Sequence, residues 1–324
     1  MKKALLLDPS IGTSNVGDAI IAECVERELA FILNNRFVFH LPTHLPAFHS
    51  YAVWRNSLAV QNYASCDEKF IGGSNLLAKN MLTHYPQWNV NLWNCKPLEN
   101  AVCVGVGAGA SERTNTYTAR LYRKILSHTL YHSVRDSRTK YYVENVLGLK
   151  AINTGCVTMW ALTPEFCAQI PTKKADRVVF TLTAGSQHKA HDQSLLALLQ
   201  RSYEQVYFWI QGDRDEAYFR SFPNTGGIEV IPPHKEAYEK VLLQDNIEYV
   251  GTRLHGGIYA LRHKKRAVIL AIDERAQSIS ADTGLITVEQ GNTDALAARI
   301  NSEFETKLHI PTEEILRWKA QFER

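Results

Sequence analysis

The feature that most constrains this chain is an alternation that runs its whole length. Short apolar runs are each followed by a stretch of helical spacing. Apolar runs fall at residues 4–7, 36–39, 69–71, 101–107 and 132–134, and again at 177–183, 206–210, 228–231, 247–252 and 267–272. Between them apolar residues recur every three or four positions, as Ile20, Ile21, Cys24, Val25, Leu29 and Ile32 do in the first such stretch. Runs that are apolar throughout suit strands covered on both faces, and a helix after each strand supplies that cover. The pattern predicts an α/β protein with parallel sheets and crossover helices. Helices are expected at 18–33, 118–130, 137–147, 192–201, 213–220, 235–243 and 255–261. The tail, 293–322, reads as two helices split by Pro311.

The alternation weakens between 154 and 174, where Pro164 and Pro171 fall. A chain of 324 residues also exceeds the ~250 at which single cores stop growing. Two Rossmann-like domains are therefore expected, 1–170 and 171–324, with the terminal helices free to pack back on the first. Two such sheets side by side leave a cleft at their strand ends, where α/β proteins bind ligands.

Composition excludes several classes of function. The chain is 45% hydrophobic and 21% charged, which is ordinary for a folded enzyme and argues against disorder. A net charge of +3 with no dense basic run gives no footprint for nucleic acid. HKKR at 263–266 reads as a solvated helix end. The six cysteines form no CxxC pair, so reduced thiols and a cytoplasmic protein are expected. MKKALLLDPS has too short an apolar run for a signal peptide, and no stretch approaches the ~20 apolar residues that span a bilayer. The tail raises peripheral association with the inner face of a membrane. Its Lys307, Arg317, Lys319 and Arg324 are spread among acids, however, which favours a packed helix.

Five segments at strand ends can carry chemistry. NVGD, 15–18, opens the first helix; Asp18 is either its cap or a site residue, and the glycine would let an anionic or sugar ligand come close. GGS, 72–74, is either a tight turn or a phosphate or carboxylate nest. GVGAGAS, 105–111, lacks the GxGxxG spacing of a dinucleotide fingerprint, so close backbone packing is the default there. SVRDS, 133–137, brings Arg135 to a strand end, where a guanidinium can hold a carboxylate or phosphate bidentately. VGTRLHGGIYA, 250–260, is the strongest: a buried strand runs into Arg253 and His255 and straight into a helix. A helix start favours a bound anion, Arg253 adds fixed charge, His255 can exchange a proton near neutral pH, and Gly256 and Gly257 would admit a ligand to the backbone. Downstream, Arg275 in IDERA is either a third cationic contact or the partner of a surface acid.

No HxH or HExxH spacing, P-loop or GxSxG elbow is present, so no catalytic metal is expected. Several cations without a metal suit a small, multiply charged anionic donor.

In this order along the chain, NVGD, GGS, GVGAG, SVRD, Leu147–Gly148 and above all TRLHGGIYA resemble the polysaccharide pyruvyl transferases. The resemblance implies a glycosyltransferase-B-like pair of domains, phosphoenolpyruvate as co-substrate with no cofactor, and a sugar acceptor of a capsule or exopolysaccharide that receives a pyruvate ketal. It implies Arg135, Arg253 and His255 as catalytic donor contacts, with Gly256, Arg275 and Ser74 beside them. Asn15, Gly73 and Asp18 fall to the acceptor, Asp18 doubling as the base. GGS stands where the family has three glycines. Arg275 stands where many members have a lysine, which keeps a cation and loses a proton donor. The rival readings are a sugar-nucleotide glycosyltransferase of the same architecture and a non-catalytic glycan- or anion-binding protein. The acceptor sugar and the oligomeric state are not legible.

Overall fold

The computed structural model describes residues 1–82, 88–109 and 114–323. The chain forms two compact units. The first comprises Met1–Thr13, Ile21–Trp160 and Pro311–Arg324; the second comprises Ser14–Ile20 and Ala161–Ile310. The expected boundary at 170 thus falls inside the second unit, and residues 14–20 leave the first unit altogether.

The first unit is built on β1 (Lys3–Asp8), β2 (Phe37–Pro42), β3 (Glu68–Gly72), β4 (Val102–Val104), β5 (His132–Val134) and β6 (Ala151–Asn153). The first four form one parallel sheet in the order β2-β1-β3-β4, and β5 pairs β6 in parallel. Helix Val16–Leu33 links β1 to β2, and all six residues of its predicted apolar stripe are buried. The tail helix Thr312–Ala320 seats Trp318, fully buried, with its indole N–H on the Tyr131 carbonyl at 2.8 Å. The tail's aromatic face therefore lies within this unit.

β4 and β5 are joined by side chains and, just beyond β4, by a single parallel bridge from Val106 to Val134. Ser133 Oγ accepts the Gly105 N–H at 2.8 Å, and His132 Nδ1 accepts the Cys103 N–H at 3.2 Å. His132 Nε2 lies 2.9 Å from the Ser127 carbonyl. With a donor on one nitrogen and an acceptor on the other, the ring is neutral and carries its proton on Nε2. Burial outweighs the Ser127 carbonyl and holds its pKa at about 4 instead of 6.5. The sign follows directly. Below about 6.5 the unfolded chain takes up a proton that the folded chain refuses until about 4. We predict that stability falls as pH drops through that window, by about 3 kcal/mol, and levels off below it. Urea unfolding at stepped pH checks this. His132→Gln, which keeps a donor and an acceptor, should flatten that part of the profile; an unchanged profile would refute the assignment.

The second unit carries β7 (Arg177–Thr181), β8 (Gln205–Trp209), β9 (Ile228–Ile231), β10 (Ile247–Gly251), β11 (Ala267–Ala271) and β12 (Thr287–Glu289). They form one parallel sheet in the order β12-β11-β10-β7-β8-β9. This is the doubly wound Rossmann order, whose strand sequence reverses between β7 and β10, and ligands bind beyond the strand ends at such a reversal. Thr181 and Gly251, paired in register, end the two strands there. In the first unit the reversal lies between β1 and β3, where β3 ends at Gly72.

Candidate active site

In the second unit every residue of β10 is buried, and Gly251 has no room for a side chain. A Cβ there would lie 2.5 Å from Thr181 Oγ1 and 2.9 Å from the Tyr249 hydroxyl. Those two hydroxyls shape the turn that follows. They hydrogen-bond each other at 2.6 Å, Tyr249 donates to the Arg253 carbonyl at 2.8 Å, and Thr181 Oγ1 accepts the Arg253 N–H at 3.1 Å. Burial pushes the Tyr249 phenol well above its ordinary range, so it stays a neutral donor. Arg253 thus stands at the N-cap of helix Leu254–Arg262, and His255 lies buried in its first turn.

The Arg253 guanidinium is gripped by Asp215, which is fully buried. Nη2 meets its two carboxylate oxygens at 2.5 and 2.6 Å, and Nε lies 3.1 Å from Oδ2 and 3.3 Å from the Leu182 carbonyl. Asp215 also accepts the N–H groups of Ala184 (3.0 Å) and Gly212 (2.8 Å). Gly212 lies against the guanidinium, and a Cβ there would collide with Nη2. Nη1 is left without a partner among the described residues. No motif marks Asp215 in the sequence; its position in the segment that follows β8 was the available signal.

The NVGD loop belongs here too. Ser14 and Val16 bond to Asp213 and Gln211 through the backbone, at 3.0 and 2.8 Å. The Gln211 amide donates to Asn15 Oδ1 at 2.9 Å. Asn15 and Asp18 thus lie in the second unit. The helix begins at Val16, two residues earlier than expected. Asn15 Oδ1 accepts the Gly17 N–H at 3.1 Å, so Asn15 fills the cap role and Asp18 lies buried in the first turn.

A Cβ on Gly256 would stand 3.0 Å from Gln211 Oε1 and 3.2 Å from the Tyr249 hydroxyl, and one on Gly257 would stand 2.5 Å from Ile269 Cγ1. The bare Cα of Gly257 lets the helix pack closely on β11. Arg275 folds back on Asp273, at 2.6 and 2.9 Å, and is 42% exposed. Burial would raise the Asp273 carboxyl, but Arg275 and two backbone N–H groups hold it low. The surface-pair reading of Arg275 describes the observed contacts.

In the first unit Arg135 is buried, its Nε on Asp136 at 3.1 Å and its Nη2 on Asn75 Oδ1 at 3.2 Å. The other oxygen of Asp136 caps helix Ser137–Tyr141 through the Thr139 N–H at 2.7 Å. Gly107 lies flat against the guanidinium, where a Cβ would collide with it. Close packing thus explains Gly105 and Gly107, whereas a Cβ on Gly109 would meet only ordinary contacts; Ser111 lies outside the described residues. Gly73 and Ser74 both adopt left-handed backbone, at φ 59° and 60°. The Gly73 N–H donates to the Val104 carbonyl at 2.8 Å. GGS therefore bends sharply after β3, and its Gly73 N–H is engaged by the neighbouring strand.

Among the described residues, Asp8, Glu26 and His40 bring ligand-type atoms within 4.8 Å of one another. They come from three separate elements, which no spacing rule detects. His40 Nδ1 lies 3.3 Å from Asp8 and 3.7 Å from Glu26, so the cluster is accounted for as a histidine between two carboxylates.

A family model described as polysaccharide pyruvyl transferase matches residues 15–274. The chain belongs to that family. The match takes in NVGD, Arg135, Asp215, Arg253 and His255. No curated protein sequence matches the chain. Among solved structures it is similar to the UDP-GlcNAc 2-epimerase of Methanocaldococcus jannaschii, crystallised with UDP-GlcNAc and UDP. The TM-score is 0.58 at 13% identity, covering 100% of this chain and 99% of that one. It is similar to S. aureus MnaA in a UDP co-structure (TM-score 0.59, 10% identity, 100% and 96% covered). It is also similar to Arabidopsis thaliana UGT89C1 complexed with UDP (TM-score 0.50, 9% identity, 100% and 94% covered). These likenesses establish the fold, a GT-B-type pair of Rossmann-like domains, and the pyruvyl transferase family is thus carried on that architecture. No helix among the described residues is long and apolar enough to cross a membrane.

Proposed function

We propose that this family member transfers the pyruvyl group of phosphoenolpyruvate to a sugar of a cell-surface polysaccharide or its precursor, closing a pyruvate ketal. The observation that carries this reading is Arg253. It stands at the topological reversal of the second sheet, its fork fixed by Asp215 and its Nη1 uncommitted, two residues from a histidine in the first turn of a helix. Such a placement suits a carboxylate or phosphate ligand next to a proton donor. Family membership adds Arg135, whose Nη1 also has no partner among the described residues. Arg275 would have to leave Asp273 to join them.

In this mechanism Arg253 holds a carboxylate or phosphate oxygen of the donor. His255 gives a proton to the methylene carbon, so the enol carbon becomes electrophilic. A sugar hydroxyl attacks that carbon and yields its proton to a base, for which Asp18 is the nominee. A second hydroxyl then attacks the same carbon, the C–O bond to phosphate breaks, and inorganic phosphate leaves with the second proton. Both oxygen–carbon bonds of the ketal are accounted for, and no oxidant or cofactor is needed.

The alternative of a sugar-nucleotide glycosyltransferase draws on the UDP-bound structural neighbours. One assay separates the two. Phosphoenolpyruvate is offered with a panel of sugar acceptors, phosphate release is followed, and products are weighed by mass spectrometry. We expect phosphate release coupled to a product heavier by one pyruvate ketal. UDP release from a sugar nucleotide, with phosphoenolpyruvate untouched, would replace this function with the alternative.

A further inference from the structure

We infer that Asp215 is a positioning residue: it sets the plane and rotamer of Arg253 so that only the Nη1 edge is presented to an anionic ligand. The inference rests on the function proposed above for its consequence, but its geometry stands apart from it. A surface arginine samples many rotamers. Arg253 is held along its Nε–Nη2 edge by the two oxygens of Asp215, with the Leu182 carbonyl sharing the Nε–H, and on one face by the Gly212 backbone. Asp215 is itself immobile, because it is fully buried and two backbone N–H groups fix its oxygens. A lysine could not answer this grip, since an ammonium has no planar fork. The clamp also neutralises the guanidinium's formal charge locally. Recognition therefore comes from a directed N–H pair more than from free positive charge. The first unit repeats the plan with Arg135, Asp136 and Gly107, using a different carboxylate geometry.

Two variants test this in the full-length protein. Asp215→Asn keeps the shape and removes the charge that orients the fork. Gly212→Ala keeps the Asp215 side chain and its charge, its Cβ falling 2.4 Å from Arg253 Nη2 and 3.2 Å from Asp215 Oδ2, and Gly212 does not need left-handed backbone. The first readout is the Arg253 Nε–H signal in side-chain NMR, assigned by its loss in Arg253→Lys. We expect a single, slowly exchanging signal in the wild type and a fast-exchanging one in both variants. The second readout is kinetic. The KM for phosphoenolpyruvate should rise on the order of 100-fold in both, as displacing a binding group by about an ångström does, with kcat reduced less and the circular dichroism unchanged. An unchanged Nε–H signal in both variants overturns the inference, as does a KM within twofold of wild type. If Asp215→Asn fails to fold, Gly212→Ala decides alone. A wild-type protein that turns over no phosphoenolpyruvate refutes the proposed function, and the NMR result still judges the clamp.

Discussion

His255→Gln will release phosphate from phosphoenolpyruvate about a thousandfold more slowly than wild type, while melting within a few degrees of it. Positioned general acids contribute roughly a hundred- to ten-thousandfold, and protonating an enol carbon is the step that makes this donor reactive. Glutamine keeps a hydrogen-bonding side chain of similar reach but cannot deliver a proton. His255 is buried in the first turn of its helix, where the Tyr238 hydroxyl anchors the neighbouring Gly256 carbonyl at 2.9 Å. Nearby, Tyr238 stacks on Trp209 at 4.0 Å. The loss should fall on kcat, with KM for the donor near wild type, because an acid acts in the transition state whereas a ligand contact acts in both states. Turnover within tenfold of wild type would remove His255 from this role. A raised KM at normal kcat would recast it as a binding residue.

Much of the architecture was legible because it follows from periodicity. The stripe from Ile20 to Ile32 and the apolar run at 247–252 lie where their spacing puts them; the tail does form two helices, but the first ends at Asn301, well before Pro311. What escaped was short or built at long range. β6 and β12 have three residues each, too few to show a period. The move of residues 14–20 into the second unit rests on backbone bonds to Gln211 and Asp213, nearly 200 positions away, which local pattern does not encode. The site divides in the same way. Arg135, Arg253 and His255 announced themselves by residue type at strand ends. Their holders, Asp215 and Asn75, did not, because a carboxylate or amide that fixes an arginine looks in sequence like an ordinary helix start or loop. Close packing, the default reading of GVGAGAS, holds at Gly107, which like Gly212 makes room for a guanidinium group; Gly257 makes room for Ile269.

The Arg253–Asp215 pair allows stability and activity to be separated. Arg253→Met should destabilise the protein by about 3 kcal/mol and abolish phosphate release. Methionine leaves the buried Asp215 carboxylate with two backbone N–H donors and no counter-charge, and removing one partner of a buried pair costs about 3–5 kcal/mol. The low end applies because those two N–H bonds persist. Adding Asp215→Asn to Arg253→Met should recover most of the lost stability, since the orphaned charge is gone and the amide oxygen still accepts a backbone N–H. The double variant should remain inactive, because no donor faces the ligand. Urea melts of the wild type, both single variants and the double variant give the coupling energy, expected near 2–3 kcal/mol for residues in one network. Phosphate release measured on the same four proteins should not follow that recovery. Should the double variant regain a tenth of wild-type turnover, Arg253 would be a structural counter-ion to Asp215 and the donor contact would lie elsewhere. Should Arg253→Met melt like wild type, the buried carboxylate would have found another partner and the clamp would carry little of the unit's stability. The expected result, stability restored without activity, would leave Arg253 with one role that Asp215 cannot replace, the presentation of its free N–H edge to an anion.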